Sequence, residues 1–303
     1  MISVIISAHN RKEYLLEAIK SVVNQTLDPK NYEIIVVKNF KDETVDEYIS
    51  AKGIFSIFTN ETTYSRKLLE GLHVSKGDII SFLDDDDIFF GNKLEMIYNE
   101  FLKSDCVFIH NNIQAINDKG DLLIFKDNRI CFNMSSITVK KKIIKTEILK
   151  MSPFNLDTVM YAFALESEGK ITDLKDVLTY YRVHDSITHA FTNFEDYKVF
   201  YTNSIERSLK AYSDIYPLFR NKNARNLLLH EMIFLNIRLK IFAGKKVALN
   251  EYIKFIFIEH QVKVTSYEYK LLIGSIFFRK SIVKKLHKNE LLKRNKVMEK
   301  DQA

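Results

Sequence analysis

Short apolar runs alternate with amphipathic segments through the first half of the chain. The runs are rich in Ile and Val and are five or six residues long, which is typical of strands. The predicted strands are residues 3–7, 33–37, 54–58 and 78–83. The helices predicted between them are residues 11–24, 44–51 and 65–75. This order predicts an α/β fold, in which helices cover both faces of a mostly parallel central sheet.

The same pattern continues less regularly to about residue 190. We predict a helix at residues 93–103, a strand at residues 106–116 and, after a turn at residues 118–120, a continuation of that strand at residues 122–125. Two helices and a strand are predicted next, at residues 141–149, 157–168 and 177–183. Gly169 is expected to end the second of these helices as its C′ residue.

Beyond about residue 190 the hydrophobic period is that of helices alone. Aromatic and aliphatic stripes at helical spacing predict helices at residues 197–218, 227–242 and 267–278. Asn193 and Thr265 are placed to cap the first and the last of them. We therefore predict an α/β domain at residues 1–190 and an all-helical C-terminal domain at residues 191–303.

The composition is that of a folded, soluble protein. Hydrophobic residues make up 46% of the chain and charged residues 28%, which excludes disorder along most of its length. Cys106 and Cys131 show no metal-ligand spacing, so a reduced, cytoplasmic protein is expected. The apolar run at residues 2–8 is too short for a signal peptide, and those at residues 252–258 and 271–278 are too short to cross a bilayer.

The formal charge of +6 is concentrated near the C terminus. Residues 279–300 carry nine Lys or Arg and two Glu, so the rest of the chain is nearly neutral. Two interpretations stay open: a basic amphipathic helix on an anionic membrane surface, or a packed helix with solvated lysines. No recognised nucleic-acid motif accompanies the basic residues, so no nucleic acid partner is expected.

Polar side chains follow three of the predicted strands where each strand ends. Asn10 and Arg11 follow the first strand, Asn39 follows the second, and four aspartates at residues 84–87 follow the fourth. Because ligands of parallel sheets bind beyond the carboxyl ends of the strands, these side chains are expected to converge. Four adjacent carboxylates repel one another unless a cation compensates them, and Mg²⁺ or Mn²⁺ would do so while bridging to a nucleoside diphosphate. The alternatives are an exposed acidic turn that caps the next helix and, with less support, a calcium site.

Several ordered motifs in the first 190 residues resemble glycosyltransferase family 2, whose fold is called GT-A. The motifs are SVIISAHNR at 3–11, YL at 14–15, AIKSV at 18–22, QT at 25–26, EIIVV at 33–37, SR at 65–66, GDIISFLDDDD at 77–87 and YRVH at 181–184. Such an ordered set is far more specific than a lone DxD. The resemblance implies a GT-A fold at residues 1–190 and the transfer of a sugar, as in hexosyltransferases, from a nucleotide-diphosphate donor.

The resemblance also implies roles for residues on the metal side of the site. Asp84 and Asp86 match the ends of the DxD motif, with Asp86 as the direct ligand of Mn²⁺ or Mg²⁺ and Asp84 or Asp85 nearer the ribose. His184 would be a third metal ligand or lie near the diphosphate, and its alternative is a structural histidine.

On the nucleotide side, the resemblance places Ala8, His9, Asn10 and Arg11 against the base and brings Asn39 to it from the second strand. Arg66 would lie close to the base or the diphosphate. In the alternative interpretation Asn10 caps the first helix and Arg66 is a surface residue. The sequence departs from the family after the second strand, because residues 38–41 read KNFK where members commonly carry an acidic pair followed by Gly-Ser. The lost carboxylate puts a uridine donor in doubt and leaves the donor open.

Inverting transfer needs a carboxylate that takes the proton of the acceptor hydroxyl. Asp157 matches the position of the second acidic motif of the family, although Leu156 stands where a Glu is usual. Asp157 is the candidate base, and its alternative role is to cap the helix that follows. Glu166 and Glu168 are fallback bases that lie far along the same helix.

Together these features predict a metal-dependent, inverting glycosyltransferase that acts on a glycan, a lipid-linked or a protein acceptor. We expect it in the cytoplasm, peripheral on the inner face of the membrane if the C-terminal basic helix docks there. The alternative is a catalytically silent relative that binds a nucleotide or a glycan as an interaction module. The KNFK segment and Leu156 are the features that favour this alternative.

Overall fold

The structure is a computed structural model of the 303-residue chain. It describes residues 1–123, 132–183, 193–258, 281, 283–285 and 287–288. The chain forms two compact units: residues 1–116 with 120–183, and residues 117–119 with 184–303.

The first unit is built on one mixed, mostly parallel sheet. In the described residues its strands are β1 (Ile2–Ala8), β2 (Tyr32–Lys38), β3 (Phe55–Phe58), β4 (Ile79–Asp84), β5 (Ile88–Phe89), β6 (Cys106–Ile116), β7 (Ile137–Lys140) and β8 (Lys170–Arg182). Its helices are α1 (Leu15–Val23), α2 (Glu43–Ala51), α3 (Tyr64–Val74), α4 (Lys93–Lys103), α5 (Thr146–Met151) and α6 (Leu156–Glu166). Three βα units precede β4, as the sequence predicts.

Strand directions bring most carboxyl ends to a single edge of the sheet. The spatial order is β3-β2-β1-β4-β7-β6-β8-β5. β1 is parallel to β2 and to β4, β7 is antiparallel to both β4 and β6, and β8 is parallel to β6. The residues that follow β1, β2, β4, β6 and β8 therefore all lie at this carboxyl edge, where parallel sheets bind ligands.

The apolar runs form central strands because they are buried on both faces. Every residue of β1 is buried, so Val4 and Ile6 pack on one face of the sheet and Ile5 on the other. On α1 the predicted apolar stripe faces this core, with Leu15 and Ile19 fully buried. Burial of each such side chain contributes about 1.5–3 kcal/mol to folding.

The end of α6 differs from the sequence prediction. The left-handed residue after the helix is Glu168, with φ of +56°, whereas Gly169 does not adopt a positive φ. Gly169 serves close packing instead, because a Cβ there would lie 2.4 Å from Cγ1 of Val107 on β6. The absence of a side chain thus lets the chain enter β8 directly beside β6.

Other boundaries also differ from the prediction. Helix α1 begins at Leu15 rather than at residue 11, and residues 141–149 form a 3₁₀ turn (Lys141–Ile143) followed by the short α5. Residues 122–125 do not continue β6, since Leu122 forms an isolated antiparallel bridge to Ile116 and residues 124–125 lie outside the described part. β5 and β7 were not predicted because runs of two and four residues carry too little periodicity.

The second unit is helical in its described residues, with α7 (Phe194–Ile215), α8 (Lys222–Phe242) and α9 (Leu249–Phe257). Asn193 caps α7 as predicted, because its side-chain oxygen accepts a hydrogen bond of 2.8 Å from the backbone N–H of Glu195. The predicted cap Thr265 and helix 267–278 lie outside the described residues. None of the helices in the described ranges is both long and apolar enough to span a bilayer.

Candidate active site

The carboxyl edge brings the ends of β1, β2 and β4 into direct contact. The backbone N–H of His9 donates to Asp85 Oδ2 at 3.1 Å. Asn10 and Asn39 are joined reciprocally, since the Asn10 N–H donates to Asn39 Oδ1 at 2.9 Å and Asn39 Nδ2 donates to Asn10 Oδ1 at 2.7 Å. Asn10 has φ of +59°, and α1 starts after Tyr14, so Asn10 does not cap that helix. The convergence predicted from the sequence is therefore observed, with Ala8 buried as the last residue of β1.

Arg11 neutralises part of the aspartate run. Its Nη2 lies 2.7 Å from Asp85 Oδ1 and its Nη1 lies 2.7 Å from Asp86 Oδ2. The side chain of Asp85 is buried and that of Asp86 is 14% exposed, whereas Arg11 is 37% exposed. Arg11 is thus held by the aspartates, and α1 begins only after Tyr14.

Two buried basic residues, Arg182 and Lys93, lie near the aspartate run. The backbone N–H of Arg182, at the end of β8, donates to Asp87 Oδ1 at 3.0 Å, and its Nε donates to the carbonyl oxygen of Asp86 at 3.0 Å. Lys93 is fully buried, and its Nζ donates to the Ser135 carbonyl at 2.5 Å and to Thr179 Oγ1 at 2.9 Å. Burial lowers the pKa of Lys93, against an opposing attraction from Asp87. Arg182 therefore fixes the aspartate turn by hydrogen bonds to Asp86 and Asp87, and Lys93 fixes the Ser135 carbonyl near it.

Arg182 also ties the aspartate turn to α1. Its Nη2 lies 2.6 Å from Glu17 Oε2, and its guanidinium carbon lies 4.5 Å from the ring centre of Tyr14.

We expect Arg182→Met to lower the free energy of unfolding by about 2–3 kcal/mol, because it leaves the Asp86 carbonyl without the hydrogen bond from Arg182 Nε. Urea unfolding of the full chain measures the effect. Arg66→Met is the matched control, since Arg66 is exposed, and an equal loss in both variants would contradict this role of Arg182.

The aspartates are electrostatically strained. Burial and the neighbouring charge of Asp86 raise the pKa of Asp84 to about 7, although a hydrogen bond from Tyr64 opposes the shift. Burial raises the pKa of Asp85 to about 6, although Arg11 opposes the shift. Burial and the charge of Asp86 raise the pKa of Asp87 as well. Carboxylates in this condition favour a nearby cation.

Lys67 is a site residue that the sequence reasoning missed. It is 1% exposed, and its Nζ lies 2.6 Å from Nδ1 of His9. Burial lowers the pKa of Lys67 to about 8, while Asp85 opposes the shift. The signal was present, because Lys67 falls on the buried stripe of α3 together with Leu68 and Gly71.

Arg66, the residue chosen from the sequence, is directed elsewhere. Its side chain is exposed and lines a cavity of about 670 Å³ between α3 and the region of α5. That cavity has Leu69, His73 and Lys150 among its lining residues and none of the four aspartates. Lys67 rather than Arg66 is therefore the lysine or arginine of α3 that reaches the aspartate edge.

Asp157 lies in the first turn of α6. The N-cap position is Asn155, with φ of +52°, so Asp157 is not the cap; its Oδ1 accepts a hydrogen bond of 2.8 Å from the Thr158 N–H. Because α6 ends three residues before β8 begins, its C-terminus lies at the edge where β8 starts, opposite the carboxyl edge. Eleven residues span roughly 16 Å, and Glu166 at the far end pairs with Lys145 at 3.3 Å. Asp157 is thus the acid of α6 that lies farther from the edge where β8 starts.

The structure tests only part of the expected metal centre. Among the described residues, no three His, Cys, Asp or Glu side chains are grouped so as to hold a metal ion. His184, the third ligand that the resemblance implies, lies outside the described residues. Within them, Asp87 Oδ2 is buried without a hydrogen-bond partner, and the strained carboxylates beside it are hard oxygen donors. These features fit a divalent cation at the aspartate run.

Comparison with known sequences identifies relatives of this site. The sequence model of Glycosyl transferase family 2 matches residues 3–165. A glycosyltransferase of Rickettsia bellii is 35% identical over 173 residues, which cover 55% of this chain but only 23% of that protein. The poly(ribitol-phosphate) beta-N-acetylglucosaminyltransferase TarP of Staphylococcus aureus is 27% identical over 253 residues, or 75% of this chain and 76% of TarP.

Solved structures show the same fold. Residues 1–349 of S. aureus TarS in complex with UDP-GlcNAc superpose with a TM-score of 0.55 at 14% identity, covering 99% of this chain and 91% of that one. The mannosyltransferase PcManGT of Pyrobaculum calidifontis, solved with GDP-Man and Mn²⁺, gives 0.55 at 10% identity, covering 97% and 86%. The GT-A fold predicted from the sequence is confirmed. Since the family match covers more than half of the chain and includes β1, β4 and α6, the chain belongs to glycosyltransferase family 2.

Proposed function

We propose that this chain is a metal-dependent, inverting glycosyltransferase that moves a sugar from a nucleoside-diphosphate donor to an acceptor hydroxyl. The observation that supports the proposal is the shared carboxyl edge, where the ends of β1 and β2 meet each other and the aspartate run. A donor bound there would have amides against its base and carboxylates beside its diphosphate.

The proposed donor site uses backbone and amide groups of β1 and β2. The side-chain oxygen of Asn39 accepts from Asn10, and one of its two amide hydrogens donates to Asn10. The second amide hydrogen of Asn39 could donate to a base. Lys67 and Arg11 are the cations nearest to this region and would attract a diphosphate. His9 to Arg11 and Asn39 thus keep the roles that the resemblance implies, and Lys67 takes the one given to Arg66.

The proposed metal site uses Asp86, with His184 as the further ligand that the resemblance implies, and Asp84 or Asp85 would lie nearer the ribose. A divalent cation there would neutralise the charge that develops on the leaving diphosphate. In this structure Arg11 pairs with Asp86, so a cation and Arg11 would share this carboxylate. Asp157 would take the proton of the acceptor hydroxyl as its oxygen attacks the anomeric carbon from the face opposite the diphosphate.

The relatives indicate which donor to examine first. TarP is named as an N-acetylglucosaminyltransferase, and its match covers three quarters of this chain. We therefore propose a UDP-N-acetylhexosamine donor, although the KNFK segment lacks the acidic pair usual in the family. The acceptor is proposed to be a glycan, lipid-linked or otherwise. Residues 1–190 would form the catalytic domain and residues 191–303 a helical module.

A donor screen by thermal shift tests the proposal. With Mn²⁺ and UDP-GlcNAc at 100 times its Kd, bound donor should stabilise the folded chain by about 2.7 kcal/mol. For a unit of this size that corresponds to a rise in Tm of roughly 5–10 °C. Mn²⁺ alone, and the donor with EDTA, are the controls.

The screen is followed by a turnover assay with the donors that bind. Release of UDP that depends on Mn²⁺ would support the enzyme. Donor binding with no turnover on any acceptor would instead favour the catalytically silent module. No shift with any nucleotide sugar would contradict both the transferase and a module that binds a nucleotide.

A further inference from the structure

Helix α9 carries apolar side chains on its exposed face as well as on its buried face. Tyr252 and Phe255 are buried and attach the helix to the second unit. On the other side Leu249 is 73% exposed and Phe257 is 79% exposed. Ile253 and Ile256, 46% and 56% exposed, complete this set, which we call the α9 face.

The four side chains form one continuous stripe. With 100° of rotation per residue, positions 249, 253, 256 and 257 fall within an arc of about 100°. Single exposed apolar residues are ordinary on protein surfaces, but a contiguous exposed patch marks a place where a protein meets an apolar layer or a partner. A helix nine residues long that is apolar on two sides is therefore a candidate contact surface.

The charges around the α9 face define the partner. Lys254 is exposed on the same helix, and Lys245 and Lys246 are exposed in the segment just before it, whereas the acid within the helix, Glu251, is paired with Lys240 at 2.6 Å. Residues 240–303 carry fifteen Lys or Arg and six Asp or Glu, a net charge of +9, so the rest of the chain carries −3 of the total of +6. An exposed apolar stripe in the basic part of the chain matches a surface with an apolar interior and an anionic boundary.

We propose that the α9 face docks on an anionic lipid surface. The helix lies in the plane of the interface, with Leu249, Ile253, Ile256 and Phe257 in the boundary between headgroups and acyl chains and the lysines near lipid phosphates. The basic segment 279–300 lies mostly outside the described residues, whereas the α9 face is described throughout. The inference concerns the second unit alone and is independent of the chemistry at the aspartate edge.

The experiment uses the full chain, vesicles of phosphatidylcholine, and vesicles with one quarter phosphatidylglycerol. We expect co-sedimentation with the anionic vesicles only, weakened by 0.5 M NaCl. Ile253→Ser with Phe257→Ser should lower the partition coefficient about 100-fold, and Lys245→Glu with Lys246→Glu at least tenfold. Val199→Ser with Leu218→Ser is the matched control, because these residues of the same unit are also exposed but lie off the α9 face.

A spectroscopic probe locates the contact. Because the chain contains no tryptophan, Phe257→Trp introduces a single tryptophan, on the α9 face, whose fluorescence can be excited selectively. Its emission should shift to shorter wavelength with anionic vesicles, and that of Val199→Trp should not.

Three results would overturn the proposal. The first is no binding to either kind of vesicle, and the second is equal binding to both. The third is a chain that binds no vesicles but self-associates, with the self-association abolished by the Ile253 and Phe257 substitutions. The last result would make the face an interface between copies of this chain. The variants should keep the Tm shift that the donor produces, so a failure here is distinguishable from a failure of the proposed transferase.

Discussion

Asp86→Ala is expected to abolish metal-dependent sugar transfer while leaving the chain folded. Asp86 is the proposed metal ligand, and a bound cation contributes several kcal/mol to charge stabilisation on the leaving group. The turnover rate should therefore fall by about 10²- to 10⁴-fold. Mn²⁺ binding, measured by calorimetry in the presence of UDP, should be lost in parallel.

The thermal stability of Asp86→Ala should not fall with its activity. After burial, the charge of Asp86 is a further cause that raises the pKa values of Asp84, Asp85 and Asp87, because neighbouring carboxylates repel one another. Removing Asp86 relieves this repulsion, and its ion pair with the half-exposed Arg11 contributes little, so Tm should stay equal or rise by about 1–3 °C.

Asp105→Ala is the control for this variant, because Asp105 is exposed and precedes β6 at the opposite edge of the sheet. Unchanged Mn²⁺-dependent turnover in Asp86→Ala would sink the metal assignment. A large drop in Tm would instead show that Asp86 is needed for folding, so that its loss of activity says nothing about metal.

The residues at the carboxyl edge could be predicted because the end of a buried strand is visible in the local sequence. Apolar runs such as β1 and β4 are buried on both faces, so they stand out without alternation, and the polar residue that follows each run must lie at the edge. For the same reason Asn10, Asn39 and the aspartates could be grouped before any coordinates. Only their order along the chain was needed.

The supporting residues could not be predicted in this way. Arg182 on β8 contacts Asp86 across a separation of 96 residues, and Lys93 on α4 contacts Ser135 across 42, and no local pattern reports such contacts. Ser135 holds the Asp84 N–H from a 3₁₀ turn that has no distinct sequence signal. The resemblance implied a role for Arg66 and none for Lys67, which lies on the buried stripe of α3.

The second large effect is expected for Asp157→Asn. The substitution keeps the size and hydrogen-bonding oxygen of the side chain but removes its capacity to accept a proton at neutral pH. Loss of a general base typically slows a reaction about 10²- to 10⁴-fold. Transfer measured under saturating donor and acceptor should fall by this factor, whereas the Kd of the donor with Mn²⁺ should change less than twofold.

Glu166→Gln separates this role from a general effect on α6. Glu166 lies on the same helix about 14 Å along its axis, at the opposite edge of the sheet, so it should leave transfer unchanged. The free energy of unfolding gives a second separation, since α6 starts at Leu156 without a side-chain cap and Asp157 accepts the N–H of Thr158 in its first turn. The Asn side chain can still accept that hydrogen bond, so Tm should move by no more than a few degrees. Parallel loss of donor binding and transfer in Asp157→Asn would contradict a base and assign this residue to the donor site.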